Sequence, residues 1–178
     1  MGDSEIFTFE ELISEFNHPV ETYRANHTLK PDIIIGGAIV YRIQQVPQVL
    51  VVQRAENDSY PNKWEVPGGC VDVDDTTVVH GAIRELFEET GLKAKKVLHV
   101  LTPRLFEGND GKRFLKLTFL VDTHDCSCVV LDPKEHQAFE WISRVEVENQ
   151  RPKFVHQDLV EEILTGFDFF EKYNKEHL

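Results

Sequence analysis

The chain has 178 residues, 41% hydrophobic and 28% charged, enough for a sizeable core in one soluble globular domain. Its formal net charge of −12 argues against binding nucleic-acid polymers through a basic surface, although phosphates remain attainable where a divalent ion inverts the local charge. No apolar run approaches the roughly 18 residues of a membrane span, and neither a signal peptide nor a myristoylation start is legible, since Ile6 stands where Ser or Thr is wanted; no membrane attachment is expected.

Residues 1–30 read as an extension carrying a short helix. Thr8-Phe9-Glu10-Glu11 has the form of a capping box, and Leu12, Ile13 and Phe16 follow at helical spacing. Packing on the domain is the expected role of this helix; covering the substrate or contacting a second copy in a homodimer are the other readings. Residues 31–178 form the remaining domain, with no repeat, low-complexity stretch or linker to divide them. Its first strand is Asp32–Tyr41, rich in β-branched residues, and Gly36-Gly37 within it suggests a bulge or close backbone approach. A turn near Pro47 leads into a second strand, Gln48–Arg54, of hairpin type. Asn57–Asn62 is a loop, and Trp64-Glu65-Val66 re-enters the sheet ahead of Pro67-Gly68-Gly69.

The stretch from Gly81 to Leu92 reads as a helix, with Gly91 as its stop. At about 100° of rotation per residue, with Glu85 as zero, Glu88 falls near 300° and Glu89 near 40°, so three carboxylates share one stripe. Val79, Ile83, Leu86 and Phe87 fall at roughly 100° to 200°, which makes a separate apolar face. The acids crowd the C-terminal end, where the helix dipole already disfavours anions, and no Lys or Arg follows Glu85 or Glu88 at i+4. A solvated acidic face is the plain reading. Clustered carboxylates also suit magnesium, which takes oxygen ligands and shares them with substrate phosphates.

Lys96–Leu101 and Arg113–Asp122 are strand-like, with a hairpin loop at Phe106–Gly111 between them, and residues 127–132 suggest another strand. Cys126 and Cys128 are a weak metal signal without a second pair and are expected as strand residues. Three cysteines, an odd and sparse set, suit a reducing compartment, so cytoplasmic is the default location. Asp158–Tyr173 places Leu159, Ile163, Leu164, Phe167 and Phe170 at helical spacing, with Gly166 weakening its continuity.

Arg84-Glu85-Leu86-Phe87-Glu88-Glu89-Thr90-Gly91-Leu92 resembles the second half of the Nudix box, G-x5-E-x7-R-E-U-x-E-E-x-G-U with U apolar, and Trp64–Gly69 resembles the loop that opens it. The first half departs from the pattern. Counting back from Arg84, the box wants Gly at 70 and Glu at 76, where this chain has Cys70 and Thr76. Counting forward from Gly69, the glutamate position falls on Asp75, with eight residues rather than seven before Arg84. One inserted residue accounts for this, with Asp75 or Asp74 taking the glutamate's part, which in the family is mainly to orient the helix and its arginine. Lys134–Ser143 resembles the late Nudix segment in which a loop acid precedes a strand carrying tryptophan.

The resemblance implies an α/β fold, the Nudix α/β/α sandwich with a mixed β-sheet between helices. It also implies a divalent-metal-dependent pyrophosphohydrolase that cleaves a nucleoside diphosphate linked to another moiety X. Magnesium, with manganese as a substitute, would be held by Glu85, Glu88, Glu89, Glu135 and the Gly68 carbonyl. Glu85 or Glu135 would take the proton of the attacking water, and Arg84 would orient the box. Glu140 is the rival of Glu135, and His136 is a substrate contact or an ordinary loop residue. Arg54 and Gly69 would face the substrate, although a surface ion pair is the other reading of Arg54. The partner expected is a small-molecule diphosphate. Two alternatives stand beside this function: hydrolysis of an isoprenoid or other apolar diphosphate in a greasy pocket, and a non-hydrolytic Nudix-fold binding protein or isomerase.

Overall fold

The computed structural model describes residues 7–9 and 11–177. In chain order the elements are β1 (Thr8–Phe9), a 3₁₀ turn (Glu11–Phe16), α1 (Val20–Asn26), β2 (Ile33–Ile43), β3 (Pro47–Arg54), β4 (Trp64–Glu65), β5 (Gly68–Cys70) and α2 (Val78–Thr90). There follow β6 (Ala94–Val100), β7 (Arg104–Glu107), β8 (Arg113–Thr123), β9 (His136–Ser143), α3 (Arg144–Glu148) and α4 (Gln157–His177).

The long strands β2 and β8 lie parallel at the centre, in register from Ile33 opposite Phe114 to Val40 opposite Val121. Beyond β8 come β6, antiparallel to it, and then β1, parallel to β6. Beyond β2 come β3 and β9, each antiparallel to its neighbour, with β4 also on β3. The short strand β5 pairs with the start of β2, Gly36 opposite Gly69 and Gly37 opposite Gly68. A parallel central pair must be covered on both faces, and Ala38, Ile39 and Val40 in succession are buried. On one face Ile34, Ala38, Val40, Leu117 and Phe119 pack against Val79, Ala82, Ile83 and Leu86 of α2, together with Ile13, Phe16 and Val20. On the other, Ile39, Tyr41, Val49, Val51 and Leu120 pack against Leu159, Ile163 and Phe167 of α4. This is the mixed sheet between helical layers that the resemblance implied. Helix α4 runs unbroken through Gly166, and the Tyr41 hydroxyl donates to the Ile163 carbonyl at 2.9 Å beside it.

Several sequence expectations need correcting. Residues 127–132 form no strand. Asp125 accepts from the Ser127 amide and hydroxyl at 2.8 and 2.9 Å, turning the chain, and the amides of Val130 and Asp132 then donate to the carbonyls of Thr90 and Glu89. Those carbonyls end α2 and have no partner within the helix, so this segment caps a helix instead of extending a sheet. Cys126 and Cys128 accordingly lie in irregular chain as free thiols. Phe106 belongs to the additional strand β7, where it stacks on Phe114 at 5.2 Å between centroids. Phe87 is 42% exposed, with the Lys93 ammonium 5.6 Å over its ring, because 200° is the rim of the apolar stripe. Glu10 of the capping box lies outside the described residues. Among those described, no helix is long and apolar enough to cross a membrane.

Candidate active site

Helix α2 begins at Thr77, whose hydroxyl accepts from the His80 amide at 3.3 Å. Asp75 therefore does not cap it. Its carboxylate instead receives Arg84 Nε and Nη2, both at 2.9 Å, and so occupies the expected position beside the arginine despite the inserted residue. Arg84 Nη1 donates to Glu85 at 2.8 Å and Glu88 at 2.9 Å, and Nη2 to the Cys70 carbonyl at 3.0 Å. One guanidinium thus ties the loop ahead of α2, the helix and the end of β5 together, using the planar fork that lysine lacks. The Asp75 carboxyl is buried, and its bonds from Arg84 and Asp72 outweigh that burial and hold it below the usual range. Burial dominates at Glu85 and pushes its carboxyl up, with Glu88 and Glu135 adding to the effect and Arg84 opposing it.

The backbone turns at Gly68, whose φ of +153° is rarely open to residues with side chains, and a Cβ there would sit 2.4 Å from the Gly36 carbonyl oxygen. This lets β5 press against β2 while the Gly68 amide donates to Glu89 Oε2 at 2.8 Å. Gly69 has a different constraint. A Cβ there would meet the Glu85 carboxylate at 2.6 Å, the movable end of a side chain. Gly68→Ala is therefore expected to cost about 3 kcal/mol, from strained backbone and overpacking. Gly69→Ala should change stability by less than about 1 kcal/mol, as a surface-facing change does, yet displace Glu85 and depress activity strongly. Urea denaturation read beside turnover separates the two; equal losses of stability would contradict the assignment.

Glu89 is 4% exposed, deep beside Gly68. Desolvation pushes its carboxyl up to about 9, against the Gly68 amide, with Glu65, Glu85 and Glu135 adding repulsion. Glu135 comes from a turn closed by Asp132, whose carbonyl accepts from the amides of Glu135 and His136 at 3.2 and 2.9 Å. Because the amides of Val130 and Asp132 are bonded to the end of α2, the same helix that carries Glu85 and Glu89 also places Glu135. One donor atom from each of Glu89, Glu135 and His136 lies within 4.8 Å of the others. These residues, with Glu85, Gly68 and Gly69, line a cleft of about 530 Å³ that Arg54, Asn57, Asp58, Cys70 and Lys134 also line.

The structure thus brings Arg54, Gly68, Gly69, Glu85, Glu89 and Glu135 onto one cleft. Glu88 is outside the cleft's lining, with an exposed side chain held by Arg84. Arg84 is also outside it, bonded to Glu85 and Glu88. Glu140, the rival acid, pairs with Arg151. Arg54 realises its ion-pair reading while still facing the cleft: Nη1 donates to Glu65 at 2.5 Å and Nη2 to Asp58 at 2.6 Å. Sequence reasoning missed Glu65, Asp58 and Lys134. Glu65 had a signal, as an acid immediately before the Val-Pro-Gly-Gly turn. The other two are ordinary loop residues until the fold assembles them.

The sequence matches the NUDIX domain over residues 35–162. Comparison with curated protein sequences gives no match. Among solved structures, the chain is similar to a MutT protein from Methanosarcina mazei, 25% identical over 82% of this chain and 94% of that one, with a TM-score of 0.60. A Caenorhabditis elegans Ap4A hydrolase shares the fold at 21% identity, covering 79% and 98% of the two chains with a TM-score of 0.61. The NUDIX domain of NrtR from Shewanella oneidensis, crystallised with ADP-ribose, shares it at 20% identity, covering 83% and 97% with a TM-score of 0.62. Fold and domain match together define a hydrolase acting on pyrophosphate bonds. The chain belongs to the NUDIX family.

Proposed function

We propose that the protein is a divalent-metal-dependent pyrophosphohydrolase that cleaves a nucleoside diphosphate linked to another moiety, with magnesium as its ion and manganese as a substitute. The observation that carries this reading is the convergence of Glu85, Glu89 and Glu135 with the Gly68 turn on one cleft. The residues suit a hard cation: a buried carboxyl held near 9 by desolvation is an acid without its counter-charge, and the acids around it leave a strongly negative floor. Glu85, Glu89, Glu135 and the Gly68 carbonyl would hold the metal. Glu88 would join them by leaving Arg84, since an exposed ion pair is worth only about 0.2–1 kcal/mol. A bound divalent ion supplies charge neutralisation for the phosphates and acidifies a coordinated water.

The chain's own groups do the rest. Glu85 or Glu135, both facing the cleft, accepts the proton of the attacking water. Arg54 and Lys134 offer cations to the phosphates. Arg84 keeps the Glu85 side chain aimed through its 2.8 Å bond. Among the described residues the cleft's lining contains no aliphatic side chain and no Phe, Tyr or Trp, which favours a polar nucleoside derivative over an apolar diphosphate. Phe106, on the β7–β8 hairpin, is not part of that lining.

A panel of nucleoside diphosphate derivatives and apolar diphosphates, incubated with magnesium and then with chelator, tests the reading. Metal-dependent release of a nucleotide is expected. Magnesium alone should raise the melting temperature, by about 2.7 kcal/mol of stabilisation at a hundred times Kd. No turnover of any panel member would overturn the proposal, and preferential turnover of the apolar compounds would move the substrate class.

A further inference from the structure

Resting on that reading of the cleft, we propose that His136 is a nitrogen ligand of the bound cation, and that it shifts the site's preference from magnesium toward manganese. His136 is 3% exposed, and its Nδ1 has no hydrogen-bond partner among the described residues. A buried ring nitrogen left bare forfeits its hydration for nothing in return, so its presence needs a reason. The surroundings supply one, because a ring nitrogen of His136 and one oxygen each from Glu89 and Glu135 lie within 4.8 Å of one another.

The ring is also aimed and held. Along β9, Ala138 lies opposite Gln53 and His136 opposite Arg54, so Gln137 is an extra residue in the ladder. Such a bulge re-aims side chains and recurs beside active sites. Gln137 turns aside, donating to the Arg54 carbonyl at 2.9 Å and Asn62 Oδ1 at 2.7 Å. His136 is turned instead toward Glu65, with Nε2 3.5 Å from its Oε1, and Arg54 donates to that same oxygen at 2.5 Å. A carboxylate on one ring nitrogen fixes the tautomer, leaves the lone pair on the other and strengthens it as a ligand. Arg54, Glu65 and His136 therefore form a chain that leaves Nδ1 unshared, on a ring that brings one nitrogen within 4.8 Å of an oxygen from each of two acids. Magnesium prefers oxygen and gives up its waters reluctantly, whereas imidazole suits transition ions.

The test uses the whole protein with Mn²⁺ and Mg²⁺ as probes. Pulsed electron paramagnetic resonance of the Mn²⁺-loaded wild type should show coupling to a directly bound nitrogen, which changes isotope pattern when the protein carries ¹⁵N-histidine. The coupling should vanish in His136→Gln and in His136→Asn, both checked for a cooperative melt. Titration should show the preference for Mn²⁺ over Mg²⁺ falling about tenfold in these variants, the loss typical of a disturbed ligand shell. Mn²⁺ bound to the wild type without nitrogen coupling, or coupling that survives in either variant, overturns the inference. The hydrolysis assay is read separately on the Mn²⁺-loaded wild type. Turnover without nitrogen coupling sinks this inference alone, and coupling without turnover sinks the functional reading alone.

Discussion

Replacing Arg84 with Ala should cost about 3 kcal/mol of stability, the loss expected when one partner of a buried ion pair is removed. The reason is what it leaves behind. Asp75 and Glu85 have side chains 8% and 13% exposed, so both would be nearly buried carboxylates without their shared cation. The Cys70 carbonyl would lose its donor as well. Exposed Glu88 and Asp72, with side chains 57% and 70% accessible, add little to the total. Activity should fall too, because Glu85 loses the bond that aims it. Arg84→Lys keeps the charge but cannot form the two-pronged contact with Asp75, so an intermediate loss is expected. Urea denaturation at neutral pH provides the measurement. A loss under about 1 kcal/mol for the alanine variant would show that solvent satisfies these acids and that Arg84 is not the hub described.

The helix was legible because its two signals are local. Three acids within five residues fix their shared stripe from the 3.6-residue repeat alone, and Gly91, at φ +69°, stops the helix where its lack of a side chain predicts. The layers were legible for a related reason. A run such as Ile33–Tyr41, apolar throughout, has to be covered on both sides. Even the irregular first half of the box was partly readable, since an inserted residue still left Asp75 within reach of Arg84.

What the sequence hid was non-local. Residues 127–132 have strand composition, yet their amides go to the bare carbonyls at the end of α2, and only the fold brings that end near them. The bulge at Gln137 shows the same limit, because period-two alternation cannot say where a ladder gains a residue. Glu65 and His136 are 71 positions apart, and their meeting depends on β4 and β9 flanking the same strand. Two short helices carry local signals of their own. Ser143 and Glu146 make a capping box for α3, the Glu146 carboxylate accepting from the Ser143 amide at 2.8 Å, and Pro19 precedes α1.

Glu89→Gln should lower activity at least a hundredfold, the scale of losing a ligand of the ion that stabilises the transition state, and should make the metal-free protein more stable. The two effects have one cause. Burial holds the carboxyl of Glu89 near 9, well above the roughly 4.3 of an unfolded glutamate. A raised folded pKa means that the folded state keeps a proton the unfolded chain has released. That contribution is complete below about pH 4 and is lost progressively as pH rises to 9, at a rate of up to about 1.4 kcal/mol per pH unit. Glutamine does not titrate, is of nearly the same shape, and can still accept from the Gly68 amide. In chelator, the variant's advantage over wild type should therefore be small at pH 5 and grow through pH 8. Divalent metal should reverse the order, because the ion displaces the proton from Glu89 in wild type and finds no anion in the variant. Melting curves across pH, with chelator and with magnesium, measure both halves. If the variant is no more stable than wild type at pH 8 without metal, Glu89 is already ionised there. The buried acid would then have found its counter-charge within the protein, not in a cation.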